Sequence, residues 1–303
     1  MNGKSKISRV RLGRSGLKIS RLILGCMSYG SPEWQDWVLS EDEGIKHIKA
    51  AYDAGINTFD TANVYSNGLS EVVLGKAIKQ HNLPREEIVV MTKLLDGSGY
   101  ANQYGLSRKH IFDSVKQSLE RLQLDCIDLL QCHRFDTETP IEETMHALHD
   151  IVKAGYVRYI GMSSCWAYQY YAIQNNLTHF ISMQNHYSLV YREEEREMFP
   201  TLKYFGVGSI PWSPLARGLL SRPLDHQTKR GHVEEIAKKK NAKMAQIAIA
   251  WVMARDGVTA PIIGTTSLDN LDELLAAVDI KLSEDDMKYL EELYEPRSII
   301  GHS

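Results

Sequence analysis

Asp60, Tyr65, Lys93 and His133 are the residues of this chain whose types and spacing could perform acid–base chemistry together. Asp60, Lys93 and His133 each end a short apolar, β-rich run, and Tyr65 follows in Asp60-Thr61-Ala62-Asn63-Val64-Tyr65. A free phenol titrates near 10, too high for an efficient acid at neutral pH. An ammonium within about 4–6 Å stabilises the phenolate, which predicts a lowered pKa for Tyr65 with Lys93 as the cation. Asp60 would hold that cation charged and oriented, and His133 could place a hydrogen bond on a substrate carbonyl oxygen. The set suits protonating an oxyanion as it forms. It contains no nucleophile and no metal site, so the electrons must arrive with a cofactor.

These residues need a scaffold that brings strand ends together. The β-rich runs are 21–24, 58–60, 88–93, 127–133, 157–163, 181–184, 207–212 and 261–263, with helical patterns between them. In Arg108–Leu122 the apolar Ile111, Val115, Leu119 and Leu122 fall on one helical face. Ser40-Glu41-Asp42-Glu43 and Thr139-Pro140-Ile141-Glu142 both fit a capping box, and Gly55 and Gly155 stand where left-handed helix ends are expected. Strand–helix alternation implies parallel strands joined by crossovers. Eight units without a Pro/Gly/Ser-rich linker predict an α/β fold, a (β/α)8 TIM barrel, with residues 1–303 forming a single domain. A doubly wound sheet would want G-x-G-x-x-G after its first strand, where this chain has Gly25-Cys26-Met27-Ser28-Tyr29-Gly30. Val10-Arg11-Leu12 and Leu17-Lys18-Ile19, flanking Gly13-Arg14-Ser15-Gly16, predict an N-terminal β-hairpin at the barrel floor.

In such a barrel the active site lies at the C-terminal strand ends. There stand Asp60, Lys93, His133, Ser163-Ser164, Gln184-Asn185, Trp212-Ser213 and Gly264-Thr265-Thr266. Polar residues at nearly every strand end do not serve stability, because burying unpaired charge is costly.

The chain has 303 residues, 43% hydrophobic and 24% charged, with a net charge of −3, so it offers no electrostatic footprint for nucleic acid. Lys238-Lys239-Lys240 reads as the solvated end of a helix. No run approaches the roughly 18 apolar residues of a membrane span, and the polar start is not that of a secretory signal. Cys26, Cys126, Cys132 and Cys165 lack C-x-x-C spacing and suit a reducing compartment, so the expected location is cytoplasmic.

The stretch Gly55-Ile56-Asn57-Thr58-Phe59-Asp60-Thr61-Ala62-x-x-Tyr65-x-x-Gly68-x-Ser70-Glu71-x-x-Leu74-Gly75 resembles the signature of the aldo-keto reductases. Val89-Val90-Met91-Thr92-Lys93 resembles their lysine strand, and Ile127-Asp128-Leu129-Leu130-Gln131-Cys132-His133 their histidine strand. The likeness continues through Gly161-Met162-Ser163-Ser164, Met183-Gln184-Asn185, Pro211-Trp212-Ser213-Pro214-Leu215-Ala216-Arg217-Gly218 and Ile262-Ile263-Gly264-Thr265-Thr266. In finer detail it is similar to fungal reductases and aryl-alcohol dehydrogenases of that family.

The resemblance implies NADPH-dependent reduction of an aldehyde or ketone, reversibly with alcohol oxidation. It makes Tyr65 the proton donor and Lys93, Asp60 and His133 its supports. Ser163, Ser164, Gln184 and Asp60 would hold the nicotinamide end, with Trp212 stacked on the ring and Gly25 and Met27 beneath it. Ser213, Leu215, Arg217 and Gly218 would follow the pyrophosphate. Gly264, Thr265, Thr266 and Asn270 would meet the adenosine 2′-phosphate, with Glu273 near the adenine. Many relatives carry Lys or Arg at that phosphate, where this chain has Thr265, Thr266 and Ser267, so NADH stays open beside NADPH. The connections 94–106 and 221–233 are short for the family.

Tyr29, Trp34, Trp37 and Trp166, on loops after the first and fifth strands, form a candidate aromatic wall for the substrate. The expected partner is a small carbonyl compound, with neither nucleic acid nor membrane, and the expected state a monomer or weak homo-oligomer. His146 and His149 share a helical face without a third ligand, so no metal is expected; Cys132 turns away from the mouth and reads as packing. The second reading is a cofactor-sensing binding subunit resembling potassium-channel β subunits. The lack of a long N-terminal extension favours a free-standing enzyme.

Overall fold

A computed structural model of the chain describes residues 7–94, 100–163, 167–221 and 231–300. Two antiparallel strands, β1 (Arg9–Arg11) and β2 (Lys18–Ser20), form a hairpin with Val10 opposite Ile19. Eight parallel strands follow: β3 (Ile23–Gly25), β4 (Thr58–Asp60), β5 (Val89–Leu94), β6 (Ile127–Cys132), β7 (Val157–Met162), β8 (Phe180–Met183), β9 (Gly208–Ser209) and β10 (Ile262–Ile263). They neighbour one another in chain order, and β10 pairs back onto β3. The Thr259 and Ile262 amides close the remaining seam by donating to the Ser209 and Pro211 carbonyls at 2.8 and 2.9 Å. Pro211 has no amide hydrogen, one reason the seventh barrel strand is shorter than the apolar run 207–212 suggests.

The crossovers carry α1 (Glu41–Asp53), α2 (Leu69–Gln80), α3 (Arg108–Leu122), α4 (Ile141–Lys153), α5 (Ala167–Gln174), α6 (Met198–Phe205), α7 (Gly231–Lys239), α8 (Met244–Ala254) and α9 (Leu268–Leu275). A final helix, α10 (Glu284–Glu291), packs on α7. The helix at Arg108–Leu122 forms as its spacing predicts, burying Ile111, Val115 and Leu122. Gly55 and Gly155 adopt φ of 104° and 82°, and the Ile56 amide reaches back to Ala51 O, as a left-handed helix end requires. The capping boxes fall elsewhere than expected. Ser40 stands at the start of α1 without a side-chain cap bond, and α4 is entered through Pro140, not Thr139. The capping serines are Ser107, Ser267 and Ser283.

The barrel encloses its own apolar core, separate from the layer between strands and helices. Ile23, Val89, Met91, Leu129 and Ile262 fill it from the strands, Ile210 and Ala260 from the residues flanking β9 and β10, and Leu12 and Ile19 from the hairpin. The hairpin is therefore the floor. Arg14 N donates to Gly206 O at 2.8 Å, which pins it to the entry of β9. With the bottom filled by hydrocarbon, only the C-terminal mouth remains for chemistry.

Candidate active site

Strand alternation turns the polar residues inward at the top of this core. Asp60 and Lys93 are 2% and 0% exposed, and Lys93 Nζ donates to Asp60 Oδ2 and Thr61 O, both at 2.7 Å. A buried ion pair is stable only when its remaining lone pairs are satisfied. Here Asp60 Oδ1 accepts from Gln184 Nε2 at 3.0 Å and from Gln131 Nε2 at 3.2 Å. Gly161 makes room for these carboxamides, since a Cβ there would strike Ser182 Oγ and sit 3.2 Å from Gln131 Cγ. Burial alone would pull the Lys93 ammonium down, but Asp60 and Tyr65 outweigh it and hold it above the ordinary lysine range.

Tyr65 opens a short 3-10 turn, Tyr65–Gly68, in which Ser66, Asn67 and Gly68 have φ of 49°, 54° and 91°. Left-handed residues other than glycine persist only where the surroundings over-determine them. Ser66 Oγ accepts from Ser31 N at 3.3 Å, and Gly68 lies against the Arg121 side chain. Arg121 in turn grips Glu71 at 2.6 Å, and Glu71 accepts from Thr92 Oγ1, one residue before Lys93. The tyrosine turn and the lysine strand thus share one buried brace. Lys93 Nζ lies 5.0 Å from the centre of the Tyr65 ring.

Lys93 does not give Tyr65 the lowered pKa expected from a nearby ammonium. Burial pushes the phenol above its ordinary value, Lys93 pulls it back, and Asp60 adds to the rise. Desolvation of the phenolate wins because the ring sits deep in the mouth.

His133 stands just past β6, its ring 6.0 Å from that of Tyr65 and at 85° to it. Burial, then Lys93 and Arg134, holds its pKa well below the ordinary imidazole value, so the ring is neutral. Its Nδ1 is buried without a hydrogen-bond partner. Arg134 Nη1 donates to His133 O at 2.5 Å and to Ser163 Oγ at 3.1 Å, and Ser163 donates onward to Gln184 O at 2.6 Å.

Tyr65, His133 and Arg134 line one cavity of about 1360 Å³. Pockets for a single drug-sized ligand hold about 300–1,000 Å³. This one has room for a dinucleotide and a second molecule. Its wall includes Gly25, Met27, Asp60, Ser163, Gln184, Trp212, Ser213, Leu215, Arg217, Gly218, Gly264, Thr265, Thr266, Asn270 and Glu273. A Cβ on Gly25 would come within 2.9 Å of Ile262 Cγ2, which leaves bare backbone on the cavity floor. The Gln184 amide nitrogen is used by Asp60, which leaves its oxygen as an acceptor. Ser164 and Trp166 lie outside the described residues.

The expected aromatic wall is corrected at one residue, and several residues are added. Tyr29 is fully buried, 5.5 Å from the His47 ring, and takes no part in the cavity wall: it anchors its loop. Trp34 does line the cavity, 6.3 Å from the Tyr65 ring and edge-on to Trp37 at 6.4 Å. Gln131 and Arg134 were missed, although Leu129, Gln131 and His133 share the inward face of their strand by simple alternation. Lys238 and Lys243, from the α7–α8 corner, line the same cavity as Thr265 and Asn270, so cations do stand on its wall. Behind Trp212, His186 is stacked at 4.4 Å and is itself covered by Tyr191 at 4.5 Å. His146 and His149 stay outside the barrel, packed on Tyr171 and bonded to Thr178.

A closed (β/α)8 barrel whose mouth sets a tyrosine over a buried lysine–aspartate pair, beside a dinucleotide-sized cavity, defines an oxidoreductase. The comparisons agree: the profile of the Aldo/keto reductase family matches residues 21–295, and the chain belongs to that family. Its members act on carbonyl groups with a nicotinamide cofactor. The chain is 47% identical to an aldo-keto reductase of Fusarium vanettenii, over 99% of this chain and 96% of the relative. It is 46% identical to versiconal hemiacetal acetate reductase of Aspergillus parasiticus, over 95% of this chain and 97% of that one. A Schizosaccharomyces pombe protein named as an aryl-alcohol dehydrogenase shares 48%, over 96% of both chains. The Fusarium alignment runs over 356 residues against 303 here, so the relative carries stretches this chain lacks.

Proposed function

We propose that this protein reduces an aromatic or secondary-metabolite aldehyde or ketone with NADPH, reversibly, using Tyr65 as the proton donor. The observation that supports it most is the stack at the mouth, with Tyr65 and His133 on the cavity wall above the buried Lys93–Asp60 pair. NADPH, when bound, supplies the hydride. Asp60, Ser163, Gln184, Gly25 and Met27 would hold its nicotinamide end against Trp212. Ser213, Leu215, Arg217 and Gly218 would follow the pyrophosphate, and Gly264, Thr265, Thr266, Asn270 and Glu273 the adenosine.

Tyr65 gives its proton to the carbonyl oxygen as negative charge gathers there, and Lys93 stabilises the phenolate left behind. His133 is neutral, and we assign its proton to Nε2 with Nδ1 bare, so that it donates to the same oxygen. Asp60, fixed by Gln131 and Gln184, keeps Lys93 charged and in place. Trp34 supplies an aromatic wall for the substrate. The cysteines suit a reducing cytoplasm, where the chain would act as one domain, as a monomer or weak homo-oligomer.

The test is NADPH and NADH oxidation with a panel of aromatic aldehydes and ketones, run on wild type and Tyr65→Phe. Tyr65→Phe should keep cofactor binding, read by tryptophan quenching, while turnover falls by about 10²–10⁴. Near-normal turnover in that variant would remove Tyr65 as the acid. Tight NADPH binding without turnover of any carbonyl would favour the cofactor-sensing role instead.

A further inference from the structure

Arg134 is a cation at the reacting end of the cavity that the chemistry above does not use. Among the described residues only Nη1 is engaged, through His133 O and Ser163 Oγ. A guanidinium carries five N–H donors, so Nε and Nη2 hold three more. Neither is among the buried atoms lacking a partner, and Arg134 itself lines the cavity. No carboxylate among the described residues pairs with it, whereas neighbouring Lys93 is matched by Asp60 at 2.7 Å. Burial lowers the Arg134 pKa, a sign that its charge is partly stripped of water. A half-desolvated cation without a counter-ion gains most from an anionic ligand. The groups facing it set where that anion would sit: Tyr65 and His133 beside it, and Trp34 and Trp37 across the Tyr65 ring.

We propose that Arg134 is a specificity-determining residue that receives an anionic oxygen of the substrate, a carboxylate or phenolate carried on the same aromatic framework as the reacting carbonyl. Nε and Nη2 present the planar fork that matches a carboxylate, while Nη1 stays braced on the backbone and cannot swing away. The ring rests toward Trp34, and its carbonyl points at Tyr65. This rests on the carbonyl-reductase reading and narrows its substrate class.

The experiment compares 2-, 3- and 4-carboxybenzaldehyde with their methyl esters under NADPH. At low salt, kcat/KM for at least one acid should exceed that of its ester by roughly ten- to a hundredfold, the range of a charge-assisted hydrogen bond. Arg134→Met should collapse that acid-to-ester ratio towards one whatever loss both substrates share, and Arg134→Lys should keep part of it. If Arg134→Met does not fold, wild type still decides: salt should raise KM for the acid and not for the ester. Equal use of acid and ester by wild type, a ratio unchanged in Arg134→Met, or a salt-insensitive acid KM overturns the proposal. Turnover of neither substrate despite NADPH binding would overturn the reductase reading itself.

Discussion

Replacing Lys93 by methionine isolates what the buried ammonium does for the tyrosine. Lys93 lies 5.0 Å from the Tyr65 ring centre and hydrogen-bonds its hydroxyl, so 5.0 Å bounds the charge separation from above, and an effective dielectric of about 20 then gives at least about 3 kcal/mol of phenolate stabilisation. That corresponds to a loss on the order of a hundredfold in carbonyl reduction. The substitution also strands Asp60, fully desolvated, at a cost of about 3–5 kcal/mol in stability. Lys93→Met/Asp60→Asn removes that complication and is the variant to measure beside the single one. Alcohol oxidation needs the phenolate, so its kcat/KM rises with pH; without the cation that rise should move to higher pH. Reduction uses the protonated phenol, held above its ordinary value, so in wild type it should stay level through neutral pH. The assay is the pair of pH–rate profiles, with NADPH binding and circular dichroism as controls. An unmoved oxidation limb in a folded, cofactor-binding variant would refute the coupling, as would reduction within a few-fold of wild type.

Two further outcomes follow from residues that only the folded chain brings to the cavity wall or to its backing. Lys243→Met should weaken NADPH more than NADH in a fluorescence titration, because Lys243 lines the wall shared with Thr265 and Asn270; equal losses would place that side chain away from the 2′-phosphate. Burial, then Arg217, pulls the pKa of His186 down to about 4, so the unfolded chain binds more protons than the folded one below the ordinary imidazole value. Its contribution is therefore complete above roughly pH 6.5 and is lost as pH falls toward that folded value. His186→Phe, which preserves the stack on Trp212, should remove this slope from urea midpoints measured between those limits; an identical slope in both proteins would refute it.

The pattern of the chain determined a great deal by itself. Strand–helix alternation and the polar residue after each apolar run were enough to set out a barrel with Asp60, Lys93 and His133 at its mouth, because β-strand geometry leaves an inward side chain little choice of direction. Tyr65 was legible through its motif, whereas its placement depends on three left-handed residues and on the Arg121–Glu71–Thr92 brace, none of which has a local signature. Tyr29 shows the limit in the other direction: an aromatic on a mouth loop reads as a contact, and only packing against His47 reveals an anchor.

What tertiary structure alone decided is the balance of charge. Lys93 in sequence predicted an acidified phenol, but the depth of burial that raises it instead is a property of the closed barrel. The cations that share the cavity wall with Thr265 and Asn270 come from a helix corner distant in sequence, and Arg134 is distinguished from a surface arginine by its half-buried place on that wall, braced on His133 O and Ser163 Oγ. Side-chain type and spacing fix which groups can meet. Desolvation and the count of satisfied partners, which exist only once all eight strands have closed, fix what those groups will do.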